Sequence, residues 1–245
     1  MKIFTYNDYL DYTQNNNQQK KLSKEKREKE RNIEYDIIDQ YILKSIGEKE
    51  YIIEFLYSFY KKEIQDIKTI DLKKISDLET KNIKNNTQIY KHMYKEMYFI
   101  IQYENQFYSQ KIFEILQICM ELIKKWKEEK IKSKNQNKSF RYPIIIPIII
   151  YTGEKEWRSK KQIKLTQTEF ENNGVYFSYN LINIKNMSML KLLEKDTLIT
   201  DLLLLKKCEG NIKTKMLEIL MEDTRNVNKY YIYKKIKDAE IEIKL

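Results

Sequence analysis

The sequence predicts an α/β fold, a small mixed sheet sandwiched between helices. Three observations carry that expectation. Apolar spacing is helical over residues 33–62, gives way to short Ile-, Tyr- and Phe-rich segments over 86–103, and becomes helical again over 112–126. The run RYPIIIPIIIYTGEKEW then stays apolar from Pro143 to Tyr151, the pattern of a strand covered on both faces. From about residue 186 to the end the spacing is again helical, without a proline.

In chain order, residues 1–12 are aromatic and partly apolar, and TQNNNQQKKLSKEKREKERN is a polar, mixed-charge linker or solvated helix. Ile33, Ile37 and Tyr41, with Ile38 and Ile42 beside them, recur at helical spacing up to Gly47, a stop signal. A second helix is expected at 49–62, with Ile52, Phe55, Leu56 and Phe59 on one face. NTQIYKH (86–92) and MYFIIQY (97–103), separated by MYKE, read as an antiparallel strand pair. Ile112, Leu116, Cys119, Ile123 and Trp126 form the stripe of a long amphipathic helix. In the strand that follows, Pro147 predicts a bulge or an unpaired edge. NNGVYFSYNLINI, 172–184, reads as one further strand opened by a turn. The organisation expected is an N-terminal segment and charged linker (1–32), an α/β core (33–185) and a helical C-terminal region (186–245).

At 245 residues the chain is long enough to bury a substantial core. Its longest apolar run falls far short of the roughly 20 residues of a membrane span. The N-terminus lacks the basic start, apolar centre and cleavage site of a secretory signal, so a cytoplasmic location is the default expectation. Cys119 and Cys208 are isolated and are expected to be reduced, buried thiols.

Forty-six Lys+Arg against 36 Asp+Glu give a formal charge of +10, which favours an anionic partner such as DNA or RNA. Only five of the basic residues are arginines, and the abundance of Lys, Ile, Asn and Tyr is also what A/T-rich codons supply. A lysine-dominated surface suits phosphate contact better than base readout, where arginine is the usual bidentate partner of guanine.

The chemistry open to the chain is narrow. Its four glycines (47, 153, 174, 210) are scattered, which excludes a P-loop or a dinucleotide fingerprint. His92 is the only histidine and there is no cysteine cluster, which argues against zinc and against Ser-His or Cys-His nucleophilic schemes. His92 itself is expected to be a surface or turn residue. What remains is chemistry by carboxylates with a hard metal ion. Gln102 and Glu104, two apart at the end of a strand, share a face, although a strand end meeting solvent would look the same.

Several stretches resemble one family: MKIFTYNDYLDY, EYDIIDQYILKSIGEKEYIIEFLYSFY, TQIYKHMYKEMYFIIQYENQ and, most specifically, the Pro143–Trp157 segment with its Pro-apolar-Pro-apolar-Tyr-x-Gly-x-x-x-Trp pattern. They resemble the Rpn family of recombination-promoting nuclease or transposase-like proteins, over residues 1–12 and about 33–185. The resemblance implies a PD-(D/E)xK restriction-endonuclease-like core and Mg²⁺-dependent cleavage of DNA. Transferred residue by residue, it places Thr87 where the family's metal-binding Asp is expected, Gln102 at the Glu, and Glu104 at the following Gln. Its His-Asp before the first helix appears as Tyr35-Asp36. The candidate catalytic positions are therefore Asp36, Thr87, Gln102 and Glu104, with Asp36 and Glu104 the only acids left to hold Mg²⁺ and Lys91 and Lys111 the candidate phosphate contacts. Two missing carboxylates imply lost or weakened hydrolysis in a DNA-binding pseudo-nuclease. The alternatives are an active endonuclease promoting recombination, and a non-catalytic module for a protein partner or a decaying mobile-element product.

Overall fold

The computed structural model describes residues 35–60, 71–76, 85–107, 111–132, 142–158, 162–165 and 175–242. The expected N-terminal segment, the loop after the long helix and the Asn-Asn-Gly turn lie outside these residues. The described chain forms two compact units, one made of residues 35–157 and 181 onward, the other including 158–180.

The larger unit opens with helices α1 (Ile37–Ile46) and α2 (Lys49–Tyr60). A short strand β1 (Leu72–Lys74), β2 (Thr87–His92) and β3 (Met97–Glu104) follow, then the long helix α3 (Lys111–Lys132) and β4 (Ile144–Tyr151). The strand-rich stretch expected at 172–184 is two strands: β6 (Val175–Ser178) pairs with β5 (Gln162–Leu165) in a separate antiparallel ribbon, whereas β7 (Asn180–Asn183) joins the main sheet. The C-terminal part is a 3₁₀ turn (Ile184–Asn186) and helices α4 (Met189–Leu193), α5 (Leu198–Lys207), α6 (Gly210–Asp223) and α7 (Val227–Glu242).

The main sheet has the order β1-β2-β3-β4-β7. β1, β2 and β3 pair antiparallel, while β3 and β4 are parallel over eight positions, from Met97 opposite Ile144 to Glu104 opposite Tyr151. The register passes through Pro147, opposite Ile100, without an inserted residue. Pro147 is buried in an internal strand, so the expected bulge or edge is corrected. β4 is also less enclosed than its sequence implies, because Ile144 at its start is exposed and only its second half is buried.

β3 is buried along its whole length, and its two faces divide the molecule. Phe99, Ile101 and Tyr103 point into one core with Ile38, Ile42, Phe55 and the leucines of α5. Residues 198–205 of α5 are all buried, the pattern of a helix surrounded by protein. The C-terminal region thus shares the core of α1 and α2. The opposite face, carrying Ile89, Tyr98, Ile100, Gln102 and Glu104, is covered by α3. Lys91 of β2 pairs with Glu129 near the end of α3 at 3.3 Å, and Glu104 pairs with Lys111 at its start at 2.9 Å. The buried stripe of α3 is Ile112, Ile115, Cys119, Leu122 and Trp126, with Ile118 beside it, whereas Leu116 and Ile123 flank it. The expected stripe is therefore rotated slightly. Both cysteines are free and buried.

The Tyr-x-Gly-x-x-x-Trp segment folds back at the end of β4. The Tyr151 hydroxyl donates to the Lys155 carbonyl at 2.6 Å, and Trp157 packs edge-on against Tyr151 and Phe107. A Cβ at Gly153 would sit 2.4 Å from the Asn105 carbonyl oxygen and 2.5 Å from the Tyr151 hydroxyl, so the spacing of this motif is set by a backbone approach open only to glycine. His92 is buried, and its Nδ1 accepts from the Tyr94 and Lys95 amides. It is the last residue of β2 and bonds the turn that follows, so it is neither the surface nor the turn residue expected.

Asp36 is the N-cap of α1: its carboxylate accepts from the Asp39 amide at 2.9 Å while Asp39 reaches back to the Asp36 amide, a capping box. Partial burial pushes its carboxyl up, but the Lys206 ammonium at 2.6 Å and the Asp39 amide outweigh that and hold it below the ordinary aspartate value. A depressed carboxyl contributes stability that is lost as pH falls through its folded value. Asp36→Ala should therefore cost about 1 kcal/mol at neutral pH in urea titrations. The difference from the unmodified chain should shrink as pH falls below the ordinary aspartate range.

Candidate active site at the ends of β2 and β3

Cross-strand register brings the two key positions together. Thr87, the first residue of β2, lies directly opposite Gln102, so the positions expected to carry the Asp and the Glu face the same space on adjacent strands. Glu104 lies two residues further along β3 on the same face. Asn86 closes the strand end: its backbone carbonyl accepts from the Tyr103 amide and its side-chain amide donates to the Tyr103 carbonyl, both at 2.9 Å.

Around Glu104 a compact polar cluster forms. Its Oε1 accepts from Gln102 Nε2 at 2.7 Å and Asn86 Nδ2 at 3.0 Å, and lies 2.9 Å from Lys111 Nζ. The same ammonium is 3.3 Å from Glu114 Oε2, one turn along α3. Glu104, Gln102, Asn86, Thr87 and Lys111 are all at most 5 % exposed. Burial pushes the Glu104 carboxyl above its ordinary value, against the opposing pull of Lys111 and Gln102. Burial works against the charged Lys111 too, but Glu104 and then Glu114 hold its ammonium above the usual lysine value.

Tyr35 stands beside this cluster. Burial first, then the nearby Glu104 carboxylate, push its phenol up to about 12, with Lys111 opposing. Its ring is also 6.2 Å from that of Tyr103, whose hydroxyl turns to the other side of the sheet. There Asp39, 1 % exposed, accepts from Tyr103 and from Asn105 Nδ2 at 3.3 Å and pairs with Lys206 at 2.9 Å.

The sequence-based candidates thus separate into two groups. Thr87, Gln102, Glu104 and Lys111 converge. Asp36 belongs to the Asp39–Lys206 group on the opposite face, committed to its cap and to Lys206. Lys91 lies at the far end of β2, opposite Tyr98, with its ammonium 5.5 Å from that ring's centroid and paired with Glu129. Burial opposes its charge, but Tyr98 and Glu129 keep it above the ordinary lysine value. Lys111, chosen as a phosphate contact, faces Glu104 inside the protein. Asn86 and Tyr35 were not singled out from sequence, although each directly precedes a chosen residue. Asp39, three residues after Asp36, fits a capping box and could have been found that way.

A Mg²⁺ ion needs oxygen ligands with enough negative charge to offset its own. Here Thr87 and Gln102 are neutral, the Gln102 and Asn86 amides turn their N–H groups toward Glu104, and the two carboxylates that converge, Glu104 and Glu114, already share the Lys111 ammonium. The donor set present does not fit the ion. Among the described residues no group of three or more His, Cys, Asp or Glu side chains is arranged to hold a metal. No described helix is long and apolar enough to cross a membrane.

Attraction between unit charges 2.9 Å apart is roughly 6 kcal/mol at an effective dielectric near 20, while desolvation costs several kcal/mol for each ion, so the pair nets little over a neutral one. Breaking it is another matter. Glu104→Gln and Lys111→Met should each cost about 3–5 kcal/mol, whereas the double variant should fall well short of their sum. A double-mutant cycle by chemical denaturation measures this, and additive losses would remove the pair from the account.

A family model described as "Putative transposase, YhgA-like" matches residues 36–231, most of the chain. No match was found among curated proteins or among solved structures.

Proposed function

We propose a non-cutting, DNA-binding role for this chain, which belongs to the YhgA-like transposase family. The reading is that of a pseudo-nuclease whose metal-dependent phosphodiester hydrolysis is lost or severely weakened, while affinity for the DNA backbone is kept. The observation that carries it is the Thr87–Gln102 pair. Two strands meet in register at the positions where a metal-dependent hydrolase of this kind is expected to place carboxylates, and both side chains are neutral. The acid on the same strand face, Glu104, is fully buried and already ion-paired with Lys111. A phosphate would meet a closed cluster there, its buried acid already ion-paired, instead of an open metal site. The +10 formal charge, carried mostly by lysine, supports phosphate attraction without base readout.

Supercoiled plasmid incubated with the purified chain and Mg²⁺ should remain supercoiled whether or not EDTA is present. The triple reversion Thr87→Asp, Gln102→Glu, Glu104→Gln should nick it if the site is inherited and disabled. Nicking by the unmodified chain that both EDTA and Glu104→Ala abolish would overturn the reading. In parallel, affinity for duplex DNA should fall steeply as salt rises from about 50 to 200 mM, and binding indifferent to salt would contradict contact through phosphates.

A further inference from the structure

Resting on that reading, we propose that the Lys111 ammonium takes the charge-balancing place of a divalent cation. The site is then closed to metal by a residue of its own chain, and it reopens to Mn²⁺ or Mg²⁺ when that residue is removed. Four observations support this. Lys111 Nζ bridges two carboxylates on different elements, 2.9 Å from Glu104 Oε1 at the end of β3 and 3.3 Å from Glu114 Oε2 on α3. It does so from inside the protein, at 3 % exposure, where an unpaired ammonium would not persist. A lysine also delivers a compact point charge with three donors, whereas a planar guanidinium would need a wider, forked space.

The fourth observation concerns what surrounds the ammonium. Glu104 Oε2, Gln102 Oε1 and Asn86 Oδ1 are buried acceptor oxygens with no hydrogen-bond donor among the described residues, and Lys111 Nζ, within ion-pair distance of two carboxylates, is not aligned for a hydrogen bond to either. The ammonium thus balances charge without satisfying the acceptor oxygens around it, a need that a metal cation relieves and a further anion would not. Both amides direct their nitrogen at Glu104 Oε1. A half-turn of each terminal amide exchanges nitrogen for oxygen without moving the backbone. With Lys111 gone, Glu104, Glu114 and two turned amides would offer oxygen atoms only, the ligand set of a hard cation. Lys111 is then the residue that decides between an internal ion pair and a metal site.

The test is Mn²⁺ binding followed by the electron paramagnetic resonance signal of the free ion, which needs no substrate and no activity. The unmodified chain should leave that signal unchanged by any site sensitive to Glu104→Gln. Lys111→Met should bind Mn²⁺ about tenfold or more tightly than the unmodified chain, and Lys111→Met combined with Glu104→Gln should lose that binding again. Because Lys111→Met leaves Glu104 without its partner, thermal unfolding is run with EDTA and with Mn²⁺, and a variant that folds only with Mn²⁺ supports the proposal. A Lys111→Met protein that ignores the metal, folded or not, overturns it, as does Glu104-dependent Mn²⁺ binding by the unmodified chain. The plasmid assay separates the two ideas. Nicking by the unmodified chain defeats the non-cutting reading, whereas a metal-blind Lys111→Met variant leaves that reading standing and defeats only this one.

Discussion

Because β3 and β4 run parallel over eight residues, the chain must be carried back along the whole sheet between them, and α3 makes that return. The crossover has two consequences. It lays a long helix over the face of the sheet that carries Gln102 and Glu104, and it begins that helix at the strand end where those residues sit. Lys111, the first residue of α3, is delivered to Glu104 by the same geometry that builds the fold. The other end of the helix is fixed by Lys91 to Glu129 and by Trp126 Nε1, which donates to Glu96 at 2.7 Å.

The two faces of β3 then acquire different chemistries. On the face toward α1 and α5, Tyr103 joins Asp39, Thr152 and Lys206, so a buried carboxylate is bonded from several sides and the β3 end is fastened to the core. On the face toward α3, Glu104 is held by two amides and an ammonium. Each buried acid has its own lysine, one from α5 and one from α3. That pairing separates Asp36 and Asp39 from Glu104 and divides what could have been one shared anionic pocket into two, each with an ammonium between two carboxylates. Family membership and loss of hydrolytic capacity are compatible on these terms, because the fold depends on register and crossover while the chemistry depends on a few side chains at one strand end.

Much of this was legible in the sequence. The strand pair, the long helix, the Pro143–Tyr151 strand and the C-terminal helices each leave a period in the apolar residues long enough to read, and pairing 87 with 102 follows from a short connection between two strands. β1 escaped because Leu72–Lys74 is three residues long, with one buried side chain and no alternation. The division of 175–183 between two sheets leaves no mark in NNGVYFSYNLINI, since both pieces are rich in β-formers. The position of Lys111 was equally silent. Its partner is seven residues away at the end of the preceding strand, and spacing alone does not decide whether a lysine at the start of an amphipathic helix faces water or a buried carboxylate. The bulge expected at Pro147 failed for a related reason: a proline's missing N–H restricts which sheet positions it can take, and the continuous register with β3 accommodated it in an internal strand.

Central to the account is the claim that Lys111 is a charged, immobilised part of a metal-free cluster. Nitrogen NMR of the Lys111 side chain reports on this directly. The account predicts an immobilised, ion-paired ammonium that stays protonated beyond the ordinary lysine range and whose resonance does not move when Mg²⁺ is added. A Lys111 signal that averages like a solvent-exposed amine, or that shifts on titration with Mg²⁺, would contradict it.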